Sequence, residues 1–447
     1  MVDEHGRLNR TVLRRRACAG PRHSTPPGSG RCSRTTTLVQ ARLYLPPWRC
    51  ARMDSSVRFD PRISGLSQQV KTLAEPQAVY SEKARNVRAE HIDGALHLYR
   101  YEDILTMNRH PSVLGNGGRG GSFGYEGRLI PLEIDGPDHM KWRRLLDPMF
   151  APRAMARLEN QIRGLARGLL EAIRDGGGAE LYGSFCVPLP CQSFLSLVGA
   201  PVEDLGFFLE FKDGVIHPKG ETTEEIDANM ALAGGKLLEY FDGFLKEKRR
   251  NLDDSADDVI ANLLRSEVDG RPIDEFDLIN ILFLLMFAGL DTVTASMSCL
   301  VTWLGKNPDR RRQLVDDPGK LRKAIEELMR YESPVPSGMR YPEVDIDLGD
   351  GLIVRAGEQV NAFWAAANVD PTFHVDPLSV DFDRKKSSHM TFASGLHRCL
   401  GSHLARLEVR VALEEIFRLI PDYEIDIDAL VYDNVAVRTV TNIPMTI

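Results

Sequence analysis

The stretch Phe392-Ala-Ser-Gly395-Leu-His397-Arg-Cys399-Leu-Gly401, followed directly by SHLARLEVRVALEEIF (402–417), decides the reading of this chain. The second part repeats apolar residues at helical spacing, so one cysteine falls just ahead of a helix start. Unpaired backbone N–H groups and the helix dipole favour an anion there, which lowers a thiol's pKa and stabilises a thiolate. Gly395 and Gly401 let the backbone turn sharply and approach a flat object closely. Taken alone, a cysteine is most often a small buried hydrophobe. With His397 and His403 nearby, a cysteine–histidine hydrolase is a further reading, yet no oxyanion-hole sequence or orienting acid accompanies them.

A second stretch breaks its own pattern. Residues 274–304 read as one long helix, with Asp274 at the N-cap and Asp277 three residues on. After the apolar run ILFLLMF comes Ala288-Gly289-Leu290-Asp291-Thr292. A glycine inside a helix costs about 1 kcal/mol relative to alanine, and an aspartate on a buried face is costly unless paired. A threonine hydroxyl can bond back to a carbonyl one turn earlier and open the helix. A packing crossing accounts for any one of these choices; three together mark a functional site.

The first stretch, F-x-x-G-x-H-x-C-x-G, resembles the haem-binding signature of the cytochrome P450 family, and the second matches that family's A-G-x-D-T motif. Ala393 departs from the pattern, since many bacterial members carry glycine there. The resemblance implies a mainly α fold with a minor β component and haem b held between a long central helix and the cysteine loop. It implies Cys399 as the thiolate ligand of the iron, with Phe392, Gly395, His397, Gly401 and Ala288 lining the cofactor. Asp291 and Thr292 would be the catalytic pair, relaying protons to dioxygen.

Further matches support it. Glu327 and Arg330 are three apart and share one helix face; such a pair is usually an exposed ion pair of little value. Here it resembles the family's E-x-x-R motif, with Arg384 in DFDRKK as its structural third member. His139 and Arg143 resemble the H-x-x-x-R segment that grips haem propionates, and Arg340 and His397 match other propionate contacts. Val369 in NVDP (368–371) departs from a common bacterial NRDP. The likeness is to soluble bacterial members, the camphor-hydroxylating type among them, through GLDT, IVRAGE and VDFDR, and it spans roughly residues 134–447.

Beyond these motifs, the apolar spacing predicts helices over 154–175, 224–252, 321–332 and 402–419, and strands over 351–360 and 435–440. Bulk properties agree. Hydrophobic residues at 43% and charged residues at 27% place the chain among ordinary globular proteins. The first 52 residues hold eleven Arg, no Lys and only Asp3 and Glu4 as acids. They are expected to form a disordered basic extension upstream of a single domain over 53–447. A net charge of −7 in spite of that leader leaves an acidic body, which argues against nucleic acid as a partner. The longest apolar run, residues 279–290, is short of the roughly 20 residues a membrane span needs. No CxxC pair occurs among the seven cysteines, so neither a disulfide framework nor a zinc site is expected and the protein is expected to be cytoplasmic.

The resemblance implies insertion of one oxygen atom from O2 into a hydrophobic small molecule: a terpenoid, steroid, fatty acyl chain or aromatic. GNGGRGG (115–121) lacks the strand-to-helix setting of a nucleotide fingerprint. Electrons are therefore expected from a separate iron–sulfur ferredoxin and its NAD(P)H-dependent reductase, docking near Arg144, Arg398 and Arg406. Leu284, Phe287, Val335 and Val437 are candidates for the substrate pocket, and residues 109–133 for a mobile loop over its entrance. The competing functions are a non-catalytic haem sensor or carrier, and a peroxide-using peroxygenase, which the Asp291-Thr292 pair disfavours.

Overall fold

The computed structural model describes residues 65–115, 127–385, 387–434 and 436–447; the basic leader and residues 116–126 of the glycine-rich loop lie outside them. The helices that build the site are α1 (Gly136–Leu146), α2 (Glu159–Asp175), α3 (Pro188–Val198), α4 (Leu205–Ile216) and α5 (Thr223–Arg250), then α6 (Glu275–Gly289), α7 (Thr292–Lys306), α8 (Leu321–Glu332) and α9 (Ser402–Leu419). Two of these match the sequence reading residue for residue. In α8, Leu321, Ala324, Ile325, Leu328 and Met329 form the buried stripe, and the helix stops where Ser333 turns left-handed (φ +45°) ahead of Pro334. In α9 the buried stripe runs from Leu404 to Ile416, and Pro421 follows the end.

Three expectations need correcting. The helix anticipated over 154–175 is two, Pro152–Ala156 and Glu159–Asp175, because Leu158 N–H closes a tighter turn on the Met155 carbonyl before the regular ladder resumes at Ile162. The strand anticipated over 351–360 is also two. Gly351 and Gly357 both have φ near +80°, and these turns send Ile353–Val354 to a hairpin with Ile346–Asp347 and Val360–Ala362 to another sheet. The strand expected over 435–440 begins only at Thr439. Arg438 is drawn out of the ladder by a buried pair with Glu332 (2.7 Å) and by the Ala74 carbonyl (2.9 Å).

The main sheet contains β1 (Ala89–Ile92), β2 (Ala95–Leu98), β3 (Val113–Leu114), β4 (Gly338–Pro342) and β5 (Val360–Ala362), in the order β1-β2-β5-β4-β3. Only the β5–β2 pairing is parallel. A separate hairpin joins β6 (Val431–Asp433) to β7 (Thr439–Asn442).

The long apolar helix is the spine. Helix α7 packs against α8, α9 and β7, while α6 packs against α4 and α5. Taken together, Glu275–Lys306 is long and apolar enough to cross a membrane by length and composition, which the interrupted run of the sequence had concealed. Its most apolar window is 72% buried within the protein, so these residues serve as a core helix.

Candidate haem site

The cysteine loop is tied by its own backbone. Ala393 N–H donates to the Met390 carbonyl (2.8 Å), Arg398 N–H to Gly395 (3.2 Å) and Cys399 N–H to Phe392 (2.9 Å). Gly395 has φ +75°, and a Cβ there would collide with the Asn108 carbonyl, so glycine is required where the loop meets the helix Tyr101–Arg109. Ala393 holds φ +52°, a region that costs a residue with a Cβ roughly 1–2 kcal/mol. Gly401 has ordinary φ, and no protein atom lies near where its Cβ would point.

Cys399 is surrounded by protein yet keeps accessible surface, so it opens on a hollow. Burial pushes its thiol pKa up, while the Gly401 N–H and the guanidinium groups of Arg143, Arg406 and Arg398 pull it down. The thiolate anticipated from the helix dipole is thus outweighed by burial in the protein alone; a metal cation held at the sulfur would supply the missing charge.

The interruption falls between α6 and α7. Thr292 Oγ1 donates to the Ala288 carbonyl at 2.9 Å, the back-bond that its position implied. Ala288 is exposed in a stretch where Ile281 to Met286 are buried, so the spine faces a hollow at this turn. Gly289 has a different reason from its neighbours. A Cβ there would strike the Phe194 ring, so this glycine marks a crossing with α3. Asp291 is fully buried; its Oδ1 accepts from Lys212 Nζ at 3.2 Å and its Oδ2 has no hydrogen-bond partner.

Basic and imidazole groups converge near the loop. The His139 ring on α1 is 4.3 Å from that of His397. His397 Nε2 is 2.7 Å from Asp135 Oδ1. His139 is buried with neither ring nitrogen bonded, and burial, with His397 and Arg143 beside it, lowers its pKa to about 4. Arg340 on β4 is buried, which brings its pKa down to about 10 against the pull of Asp135. Among the described residues its guanidinium donates to the Met339 carbonyl (2.6 Å) and pairs with no carboxylate. Arg143 donates to the Arg398 carbonyl and to Asp147, each at 2.8 Å. Two orphan ring nitrogens and a buried unpaired guanidinium cost stability unless an acidic ligand meets them. The residues present therefore fit a group that carries carboxylates on one edge and a metal at a cysteine.

Glu327, Arg330 and Arg384 also come together. Both Arg330 (2.9 and 2.8 Å) and Arg384 (2.9 Å) donate to Glu327, and Glu327 and Arg330 are fully buried. Arg330 further holds the carbonyls of Asn368, Pro377 and Ser379, which anchors the meander leading to the cysteine loop. Leu284 and Val437 are buried, and Phe287 and Val335 half-buried. Arg406 is not a free surface charge: it grips Glu326 with two bonds (2.7 and 2.8 Å) and lies over the Phe392 ring at 4.2 Å. Sequence reasoning missed Lys212, whose signal was a lone lysine in the apolar run LGFFLEFKDGVI, and Asp135, for which no signal existed.

Comparison with known proteins agrees with this construction. A family model described as Cytochrome P450 matches residues 320–421. The chain is 33% identical to a vitamin D(3) 25-hydroxylase of Pseudonocardia autotrophica over 70% of this chain and 76% of that one. It is 30% identical to the erythromycin C-12 hydroxylase of Saccharopolyspora erythraea, over 79% and 86%. Among solved structures, a mutant of P450 EryK in complex with erythromycin B superposes with a TM-score of 0.75 at 27% identity, over 86% of this chain and 98% of that one. With the thiol loop, the opened helix and the buried Arg340 and unbonded His139 on one scaffold, the chain belongs to the cytochrome P450 family, as a monooxygenase that uses haem b under a cysteine thiolate.

Proposed function

We propose that this monooxygenase hydroxylates or epoxidises a bulky hydrophobic small molecule, with electrons from a separate ferredoxin and its NAD(P)H-dependent reductase. The observation that carries the reading is the opened turn: Thr292 bonded back to Ala288 beside a buried Asp291, in the helix that faces the hollow. Cys399 is the sulfur ligand, and His139, Arg143, Arg340 and His397 receive the propionates. When bound, the haem activates dioxygen, for which thiolate ligation favours O–O cleavage. Asp291 and Thr292 hold and move the protons that the reaction consumes. Ala288, Leu284, Phe287, Val335 and Val437 present small or apolar surface, which suits a terpenoid, a steroid, an acyl chain or an aromatic; relatives named for vitamin D(3) and erythromycin oxidation favour the larger, polycyclic or macrocyclic end of that range. Arg144 and Arg398, both exposed, form the docking edge for an acidic ferredoxin, and Arg406 contributes little because Glu326 holds it.

The test is the visible spectrum of the dithionite-reduced protein with carbon monoxide. A strongly red-shifted Soret band, absent in Cys399→Ala, supports the assignment of the ligand. A Soret band at the position typical of neutral ligation refutes it. Substrate class is then read from spin-state shifts with a panel spanning steroids, macrolides, terpenoids and fatty acids. Binding confined to the small terpenoids counts against the polycyclic reading.

A further inference from the structure

The two oxygens of Asp291 have different surroundings. Oδ1 is clamped by Lys212 Nζ at 3.2 Å, and that ammonium is itself 2.7 Å from Asp213 Oδ1. Oδ2 has no hydrogen-bond partner, and His217 Nε2 stands 4.0 Å from it. The other nitrogen of that ring, Nδ1, is 3.6 Å from Asp433 Oδ2 on β6. The His217 and Asp433 side chains are 30% and 25% exposed, whereas Asp291 is wholly buried. One imidazole thus spans the distance from half-wet surface to the buried acid.

We propose that His217, backed by Asp433, passes protons from solvent to Asp291. This rests on the reading of Asp291 as the proton donor of the reaction. An imidazolium gives its Nε2 proton to the Asp291 carboxylate, which leaves a neutral ring and a carboxylic acid. The neutral ring keeps its Nδ1 proton toward Asp433, and a turn of the ring presents the bare Nε2 to solvent, where it is protonated again. Charge and protons balance without any further reactant. The gaps of 4.0 and 3.6 Å are closed by a small swing of the ring or by one bridging water. Histidine suits the step because its unperturbed pKa lies near neutrality.

Lys212 does not suit it. Burial opposes its charge, but Asp291, Tyr182 and Asp213 more than compensate and raise its pKa, so it keeps its proton and serves as a clamp. The charged or titratable groups around the ring are Asp291 from the α6–α7 junction, Asp433 from β6, and Lys212 and Asp213 from the preceding turn of α4, with Tyr182 behind Lys212.

The experiment combines a proton readout with a rate. Holoenzyme labelled with 15N-histidine is titrated by NMR from acid to alkaline pH, as the parent protein and as Asp291→Asn and Asp433→Asn. Oxygen consumption driven by a surrogate ferredoxin and its NADPH-dependent reductase is followed against pH, in light and heavy water, for the parent, His217→Gln and Asp291→Asn. We expect the His217 ring 15N resonances to move in each carboxylate variant. We expect His217→Gln to slow consumption about tenfold, enlarge the solvent isotope effect and lose the fall in rate that the parent shows as pH rises through the titration of this ring. If His217→Gln keeps the parent rate and profile while Asp291→Asn is slow, protons enter elsewhere and this proposal is overturned with the role of Asp291 intact. If Asp291→Asn itself keeps the parent rate, the reading of Asp291 fails and the relay fails with it. An unshifted His217 resonance in Asp291→Asn also overturns the relay.

Discussion

Lys212 and Asp291, 79 residues apart in the chain, meet at 3.2 Å with side-chain exposures of 5% and 0%. A buried pair gains little over apolar packing, but removing one partner strands the other charge at a cost of about 3–5 kcal/mol. We predict that Lys212→Met destabilises the protein on that scale, and Asp291→Asn by less, because Asp213 still meets the Lys212 ammonium at 2.7 Å. The double variant should cost clearly less than their sum. Denaturant melts of the four proteins measure the coupling, and additive losses would mean that the two side chains do not interact in solution.

The Thr292 hydroxyl is committed to the Ala288 carbonyl. Thr292→Ala should still consume reductant and oxygen but release hydrogen peroxide in place of product, while Thr292→Ser retains most of the coupling. Peroxide formed per oxygen consumed is the measurement. Full coupling in Thr292→Ala would remove the threonine from proton handling.

Ala393 holds a left-handed backbone, φ +52°, in the cysteine loop. Ala393→Gly should relieve that strain, and after the extra chain entropy lost on folding the net gain is roughly 0.5–1 kcal/mol. Thermal denaturation followed through the haem absorbance should show a rise of about one degree. A lower midpoint would show that the alanine side chain contributes packing that outweighs the strain.

Glu327→Ala leaves the fully buried Arg330 guanidinium without its carboxylate and also releases Arg384 and the Asp381 N–H. A loss of about 3–5 kcal/mol is expected, and with it the fixed course of the meander. The variant should be recovered largely without haem. A haem content equal to the parent's would separate this trio from cofactor retention.

Acid should weaken the protein through Glu326 and Glu415. Burial raises both carboxyl pKa values, but the bonds from His389 and Arg406 to Glu326, and from Arg167, Arg163 and Arg418 to Glu415, win and bring each to about 2. A folded-state pKa below the unfolded one, about 4.3, contributes stability above the unfolded value and loses it as pH falls toward 2. Glu415→Gln should therefore lower stability at pH 7 and flatten the acid limb, so that parent and variant converge near pH 2. Parallel pH–stability curves would contradict the assignment.

The residues proposed to carry the chemistry stand as short patterns in order along the chain. A cysteine ahead of a helix, a glycine, aspartate and threonine inside an apolar helix, and a Glu–Arg pair three apart are local patterns, and local backbone geometry sets what they can do. The same locality explains why α8 and α9 could be bounded from sequence, through a stripe of period near 3.6 and a proline beyond the end. Tertiary structure alone decided the rest. Gly289 is small because Phe194 of α3 crosses there. Arg438 leaves its strand because Glu332 lies within reach. Arg406 is withdrawn from the surface by Glu326, and Asp291 has one clamped and one open oxygen because α4 and the residue that ends it bring Lys212 and His217 to it. Such contacts join residues tens to hundreds of positions apart. Which of them form depends on how helices and strands pack, and a side chain's own neighbourhood in sequence carries no trace of that.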